Sequence, residues 1–377
     1  MNLTMEEVEE SNFVFDSYGQ RVFVAVLFLI VFVLGITGNS LTILAVVVSR
    51  KLQSVTNVFV INLAVADLLT CLTVPWNIVA MLRQRDWPIK SGWSCTMAAG
   101  ILLMCVGVSV YTLATIALNR YILITRTSLF RKIYKPSVIV VWVALLWFIP
   151  FCISIVPPIL GIGALGYNPK YKTCSDISSE YLPHTNNTQT FDLIQAAGVF
   201  PIPLIVLFFC YINIILFVRK NAKNLVQWKP EKSKSMYGET TVTSDGVSQS
   251  TSDTMQKGNT QIQMGSPGDK TSKSDTLNVK KRSTITRREI EVTKNLFIVF
   301  CVFFVCLMPY AVCLFYEDSD PFIPYAAAIL LFNSCLNPII YATRFPNFKK
   351  VFKLILKCKW DKIPEPSGIL LEIKRLT

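Results

Sequence analysis

The 377-residue chain is 52% hydrophobic and only 16% charged, with a mean hydropathy of +0.46. A soluble domain carries about 25% charged residues, so this is a membrane composition. The formal charge of +13 sits in short segments between apolar runs, which fits anionic lipid headgroups and excludes a nucleic-acid-binding face.

Residues 1–21 read as a polar, acidic tail with no basic n-region or cleavage pattern, so no signal peptide is expected. Asn2 and Asn186 each open a glycosylation sequon. Seven apolar runs follow, at Val22–Val48, Asn57–Met81, Cys95–Ile124, Pro136–Leu160, Phe191–Val218, Glu291–Phe315 and Pro321–Ala342. Each is long enough to cross a hydrocarbon core, which takes about 20 helical residues. Helices are the form expected, because a lone strand leaves its backbone unpaired in lipid. The fold class predicted is therefore all-α, a seven-transmembrane bundle over residues 22–342. The tail and the loops after the second, fourth and sixth runs sum to negative charge, and the alternate loops and residues 343–377 hold the positive excess. The positive side faces the cytosol, which puts the N-terminus outside a multi-pass plasma-membrane protein.

Residues 221–288, between the fifth and sixth runs, are rich in Ser, Thr, Lys, Gly and Gln and are expected to be disordered, as phosphorylation sites or as a solvated linker. Phe345–Trp360 is basic and amphipathic and reads as a short eighth helix on the inner leaflet. Cys358 at its end is either a palmitoylation site or a free thiol.

Few polar residues interrupt the spans. Asp67 is the only acid well inside one, and a carboxylate there needs a proton, a cation or several donors. Arg120 closes the third span and is either a functional site or a snorkelling membrane-edge residue. Cys95 and Cys174 both fall on the outer side, where a disulfide is the stronger reading and two free thiols the weaker. The single histidine, His184, lies in a loop, which removes His-cluster metal sites and catalysis by a His base, so no enzyme is expected. A transporter would call for internal repeats or several midplane charges, and the chain has one acid and no repeat.

Motifs in order on these spans are Gly38-Asn39, Leu63-Ala64-Val65-Ala66-Asp67, Cys95 with Asn119-Arg120-Tyr121, Trp142, Pro203 with Tyr211, Phe303 with Cys306 and Pro309, and Asn337-Pro338-Ile339-Ile340-Tyr341. Together they resemble a rhodopsin-like (class A) G-protein-coupled receptor over nearly the whole chain. The Asn-Arg-Tyr-Ile-Leu-Ile string is similar to the branch holding melatonin receptors, the insect Moody and Trapped-in-endoderm receptors and the medium-chain fatty-acid receptor. The resemblance implies coupling to a heterotrimeric G protein, with arrestin and receptor kinases as further partners, through Asn119, Arg120, Tyr121, Tyr211, Glu289, Asn337, Pro338 and Tyr341. It implies no cofactor beyond a bound Na⁺ at Asp67, Ser109, Asn333 and Asn337. Two departures stand out: Asn119 replaces the usual Asp before the arginine, and Leu307 replaces the usual Trp of the sixth span.

The resemblance also places Leu102 where amine receptors carry an acid and Leu331 where opsins carry a lysine, which argues against both ligand classes. Trp76, Leu102, Leu307 and Leu331, with Arg83 and Lys172 at the outer rim, are the candidate pocket residues. An apolar cavity with a basic rim suits a lipid or other small molecule with an anionic head. Glu317, Asp318 and Asp320 on the same side favour a cationic peptide instead.

Overall fold

Helices form where the apolar runs were expected, because in hydrocarbon only intrahelical hydrogen bonds satisfy a lone segment's backbone. The structure, a computed structural model, describes residues 17–83, 87, 92–177, 187–227, 271–313, 316 and 321–376, without the side chains of 221–227, 271–288, 373 and 376. Asn2, His184, Asn186, Glu317, Asp318 and Asp320 lie outside the described residues. The elements in chain order are α1 (Tyr18–Val48), α2 (Val55–Leu82), α3 (Trp93–Thr125), α4 (Thr127–Ile133), α5 (Pro136–Ser154) and α6 (Val156–Ile159). Then come β1 (Leu165–Asn168), β2 (Thr173–Asp176), α7 (Thr188–Val199), α8 (Pro201–Gln227), α9 (Thr271–Cys313), α10 (Ile323–Arg344), α11 (Pro346–Leu356) and α12 (Gly368–Leu376). Among the described residues seven segments are long and apolar enough to cross a membrane, the fifth being Thr188–Lys220 across α7 and α8.

Two spans break where the sequence expected continuity. The fourth ends at Ser154, before Pro157 and Pro158, which lack the N–H that a continuing helix needs. The fifth breaks at Phe200–Pro201, and the nearby Gly198 carbonyl accepts the Tyr111 hydroxyl at 2.8 Å, tying α7 to α3. The chain divides into two units, Met1–Phe217 with Glu289–Thr377, and Val218–Arg288. In the second unit the backbone is helical to Gln227 and again from Thr271, so both ends of the segment expected to be disordered are helical. No Pro or Gly interrupts either stretch; residues 228–270 lie outside the described residues.

Buried polar side chains fasten the bundle. Asn39 donates to the Gly35 carbonyl at 2.9 Å and to the Ser334 carbonyl at 2.8 Å, joining α1 to α10. Asn62 donates to Thr112 at 2.8 Å and accepts from the Trp147 indole at 2.8 Å, joining α2, α3 and α5. The tryptophan that makes this bond is Trp147, not Trp142. Near the start of α3, Cys95 and Cys174 form a disulfide that fixes the β1–β2 hairpin to α3, and the Cys174 N–H reaches Asn77 on α2 at 2.8 Å.

The C-terminal region carries an element the sequence reading missed. After α11, whose Phe348, Val351, Phe352 and Ile355 are buried, the chain turns back onto the end of α1. The Arg50 N–H donates to the Glu365 carbonyl at 2.8 Å, the Ser367 N–H to the Val48 carbonyl at 3.0 Å, and the Ser49 hydroxyl to the Pro364 carbonyl at 2.8 Å. Ser49 and Pro366 pair as an antiparallel bridge, and Ile363 and Leu370 are buried beneath this strap. An exposed Lys374–Asp361 pair at 2.8 Å holds the Asp361 carboxyl below its usual range and contributes little to stability.

Close helix packing yields one test. A Cβ on Gly35 would fall 2.1 Å from the Cys71 sulfur, whereas one on Gly92 meets nothing within 4 Å. Overpacking a core costs about 1–3 kcal/mol. Gly35→Ala should therefore lower the melting temperature of the detergent-purified chain while Gly92→Ala leaves it in place; equal melting of the two variants would refute the close packing.

Candidate functional site

Asp67 sits at the centre of the bundle, 1% exposed. Ser109 on α3 donates to its Oδ1 at 3.3 Å and Ser334 on α10 to the same oxygen at 3.0 Å, while the Asn337 amide donates to Oδ2 at 2.7 Å. Three donors spread a carboxylate's charge without cancelling it. Beside it lies a cavity of about 20 Å³ lined by Asp67, Thr70, Ser109, Phe303, Asn333 and Ser334, among others. That volume holds one water or a small ion. The Asn333 Oδ1 is buried without a hydrogen-bond partner among the described residues, which leaves an oxygen acceptor beside the carboxylate. Acid, hydroxyls and orphaned amide oxygen form a hard-oxygen donor set.

Arg120 lies near the C-terminal end of α3 and is buried. Its Nη1 is paired with the Glu289 carboxylate of α9. Asn119, its neighbour, does not hold it: the Asn119 carbonyl oxygen accepts the Thr56 hydroxyl of α2 at 2.8 Å. The carboxylate that meets Arg120 thus comes from α9 and not from the neighbouring position on α3. Tyr211 on α8 is buried within electrostatic reach of Arg120 and stacks on Phe300 of α9. Tyr121 packs edge-on against Phe209 of α8. Tyr341 is buried, stacks on Phe348 of α11, and its hydroxyl has no hydrogen-bond partner among the described residues. Pro338 packs against Gly38 of α1, where an added Cβ would come within 2.8 Å of its ring. Tyr134, between α4 and α5, is buried, and its hydroxyl is pushed up to about 12 by desolvation.

The expected outer pocket is scattered. Trp76 and Arg83 are exposed, and Arg83 lends its carbonyl to Arg21 at 3.1 Å. Leu102 packs against the core cluster that contains Leu331, Leu331 faces the Asp67 cavity, and Leu307 is buried in α9. Lys172, expected at the basic rim of the pocket, is only 3% exposed and its ammonium lies over the Tyr167 ring. It takes a left-handed backbone at φ +51° in the hairpin turn. Cys358, the candidate lipidation site, is exposed just past α11.

Sequence reasoning missed an acidic group beside the β1–β2 hairpin. Asp176 of β2, Asp192 of α7 and Tyr310 of α9 lie within electrostatic range of one another. Asp176 keeps part of its surface open but is walled by protein, and desolvation raises its carboxyl above the ordinary range. A carboxyl raised by folding favours the folded state at low pH and works against it as pH climbs through the shifted value. Asp176→Asn should therefore raise the melting temperature at neutral pH, with the gain shrinking on acidification; a pH-independent gain would show that charge burial is not the cause.

Comparison with known proteins follows the same lines. A family model described as 7 transmembrane receptor (rhodopsin family) matches residues 38–341. The chain is 28% identical to the G-protein coupled receptor moody of Drosophila melanogaster over 363 residues, covering 92% of this chain and 53% of that one. It is 30% identical to the Alpha-1A adrenergic receptor of Oryzias latipes, covering 85% and 64%, and 26% identical to the Melatonin receptor type 1A of Ovis aries, covering 86% and 74%. The chain thus spans about half the length of the Moody receptor it matches. Squid rhodopsin superposes with a TM-score of 0.66 at 18% identity, over 92% of this chain and 84% of that one, which shows a shared fold. With its motifs, seven spans and a family match over most of its length, the chain belongs to the rhodopsin family of seven-transmembrane receptors.

Proposed function

We propose that this chain is a plasma-membrane receptor, N-terminus outside, that catalyses nucleotide exchange on a heterotrimeric G protein when an extracellular ligand biases its helices. The Arg120–Glu289 pair carries the reading. It clips α3 to α9 at the cytosolic end, and a docking partner needs those ends apart. Removing one member of a fully buried pair costs roughly 3–5 kcal/mol; here the cost is smaller, because the Glu289 side chain keeps 33% of its exposure. A latch of that strength is opened by a ligand that binds the open form preferentially, since only differential affinity shifts an equilibrium.

Several roles attach to this core. Na⁺ fits the cavity beside Asp67, where Asp67, Ser109, Asn333 and Ser334 would hold it. The ion supplies the countercharge that the carboxylate lacks. Residues 221–288 and the C-terminal tail offer serines and threonines to receptor kinases and, once phosphorylated, to arrestin. The basic face of α11 rests on inner-leaflet lipid, with Cys358 placed for palmitoylation and the sequons at Asn2 and Asn186 for glycosylation.

The ligand is a small molecule taken at the outer end. A lipid with an anionic head draws on a basic rim, of which Lys172 is folded inward. A second reading rests on Asp176 and Asp192, whose proximity favours a ligand carrying a cationic group, a peptide included.

Arg120→Ala should abolish nucleotide exchange at unchanged surface expression, and a full response would overturn the proposal. Asn119→Asp should lower ligand-free exchange by adding a fixed negative charge beside Arg120; equal basal rates in both forms would remove that role. Na⁺ should raise the melting temperature of the wild-type chain relative to equimolar choline but not that of Asp67→Asn. A shift that survives the substitution would place the ion elsewhere.

A further inference from the structure

The outward face between α8 and α9 is not closed. An open groove of 360 Å³ runs between the two spans, walled by Phe208, Ile212, Cys301 and Phe304 and floored by Tyr211 and Phe300. The lining positions on α8 recur as one helical stripe, and those on α9 do the same. Three ring contacts hold its shape: Phe208 meets Phe300 and Phe304 edge-on, and Tyr211 stacks on Phe300. The volume falls at the small end of the range for ligand pockets, about 300–1,000 Å³.

The occupant follows from depth and charge. At about 1.5 Å per residue, the stretch from Cys313 back to Lys294 matches the thickness of a hydrocarbon core, roughly 30 Å. Lys294 therefore stands at the inner headgroup level, and the groove opens into the cytosolic half of the bilayer. Lys294 is exposed, lies one turn below Phe297 on the same stripe of α9, and makes no ion pair among the described residues. An apolar slot with one free ammonium at its headgroup end is complementary to a phospholipid with a negative head. We propose that this groove is a binding site for an anionic phospholipid of the inner leaflet, with one acyl chain between α8 and α9 and the phosphate at Lys294.

The site bears on signalling through its floor. Tyr211 meets the acyl chain on one side and lies within electrostatic reach of Arg120 on the other. A bound chain packs α8 against α9 and so favours the arrangement in which Arg120 keeps Glu289. This consequence rests on the receptor function proposed above; the binding site rests only on the membrane orientation given there.

The test uses the full chain in nanodiscs of phosphatidylcholine doped with a phosphatidylserine or a phosphatidylcholine that carries a photoactivatable acyl chain. The serine lipid should label the groove stripes on α8 and α9 about fivefold over the choline lipid, as expected for one lysine at an anionic surface. Lys294→Gln should erase that preference. Cys301→Trp, which fills the slot, should remove groove labelling while labelling of the outward faces of α1 and α5 persists. Equal labelling by the two lipids, or groove labelling unchanged in Cys301→Trp, would overturn the site. Phosphatidylserine should also lower ligand-free nucleotide exchange in the wild type and not in Cys301→Trp; labelling without that difference would overturn the link to Tyr211 and leave the site standing.

Discussion

A carboxylate in the middle of a membrane bundle must be answered by something, and Asp67 is answered from three directions. Donors reach it from α3 and from two positions on α10, and α1 is bound to the same stretch of α10 through Asn39 and the Ser334 carbonyl. Without lipid-exposed alternatives for these groups, the helices that carry them have one mutual arrangement. The hydrophobic effect puts the spans in the membrane but does not choose among their packings, because lipid tails are as apolar as leucine. The polar centre makes that choice, and the Asn62–Thr112–Trp147 set repeats it between α2, α3 and α5.

The two charged centres differ in how they are satisfied. Asp67 is enclosed and meets neutral donors, so its surroundings leave room for a cation. Arg120 meets a carboxylate whose own side chain remains partly open. A full charge pair next to water is held firmly enough to persist and loosely enough to be exchanged for a partner. Asn119 sharpens that asymmetry by turning to Thr56. The hold on Arg120 thus crosses from α3 to α9, with no copy of it inside α3.

The sequence was informative where one residue carries its signal alone. Span positions followed from apolar length, and Asp67, Arg120, Cys95 and Cys174 stood out as charges or thiols in settings where such groups need partners, while Glu289 came only with the family resemblance. It was less informative where a choice depends on azimuth or on distant chain. Trp142 and Trp147 are five residues apart, about 140° around a helix, and composition does not say which faces the bundle. The burial of Lys172 accompanies a left-handed hairpin backbone with no glycine to announce it. Asp176 and Asp192 are sixteen positions apart in sequence and meet only in space. The strap at 363–370 has an ordinary tail composition and depends on partners more than 300 residues earlier.

That strap carries a consequence for how the protein is made. The Ser49 hydroxyl and its Pro364 acceptor are 315 positions apart, and spans enter the membrane from the N-terminal end during synthesis. The Val48 carbonyl and Arg50 amide at the foot of α1 therefore wait for the tail until the seventh span and α11 are in place. Closing so long a loop from an unordered chain is entropically costly, but the cost grows only with the logarithm of length. By then the assembled bundle has already brought the ends together. The strap thus closes only after the spans between its two halves have been made, and it joins the foot of α1 to the chain that follows α11.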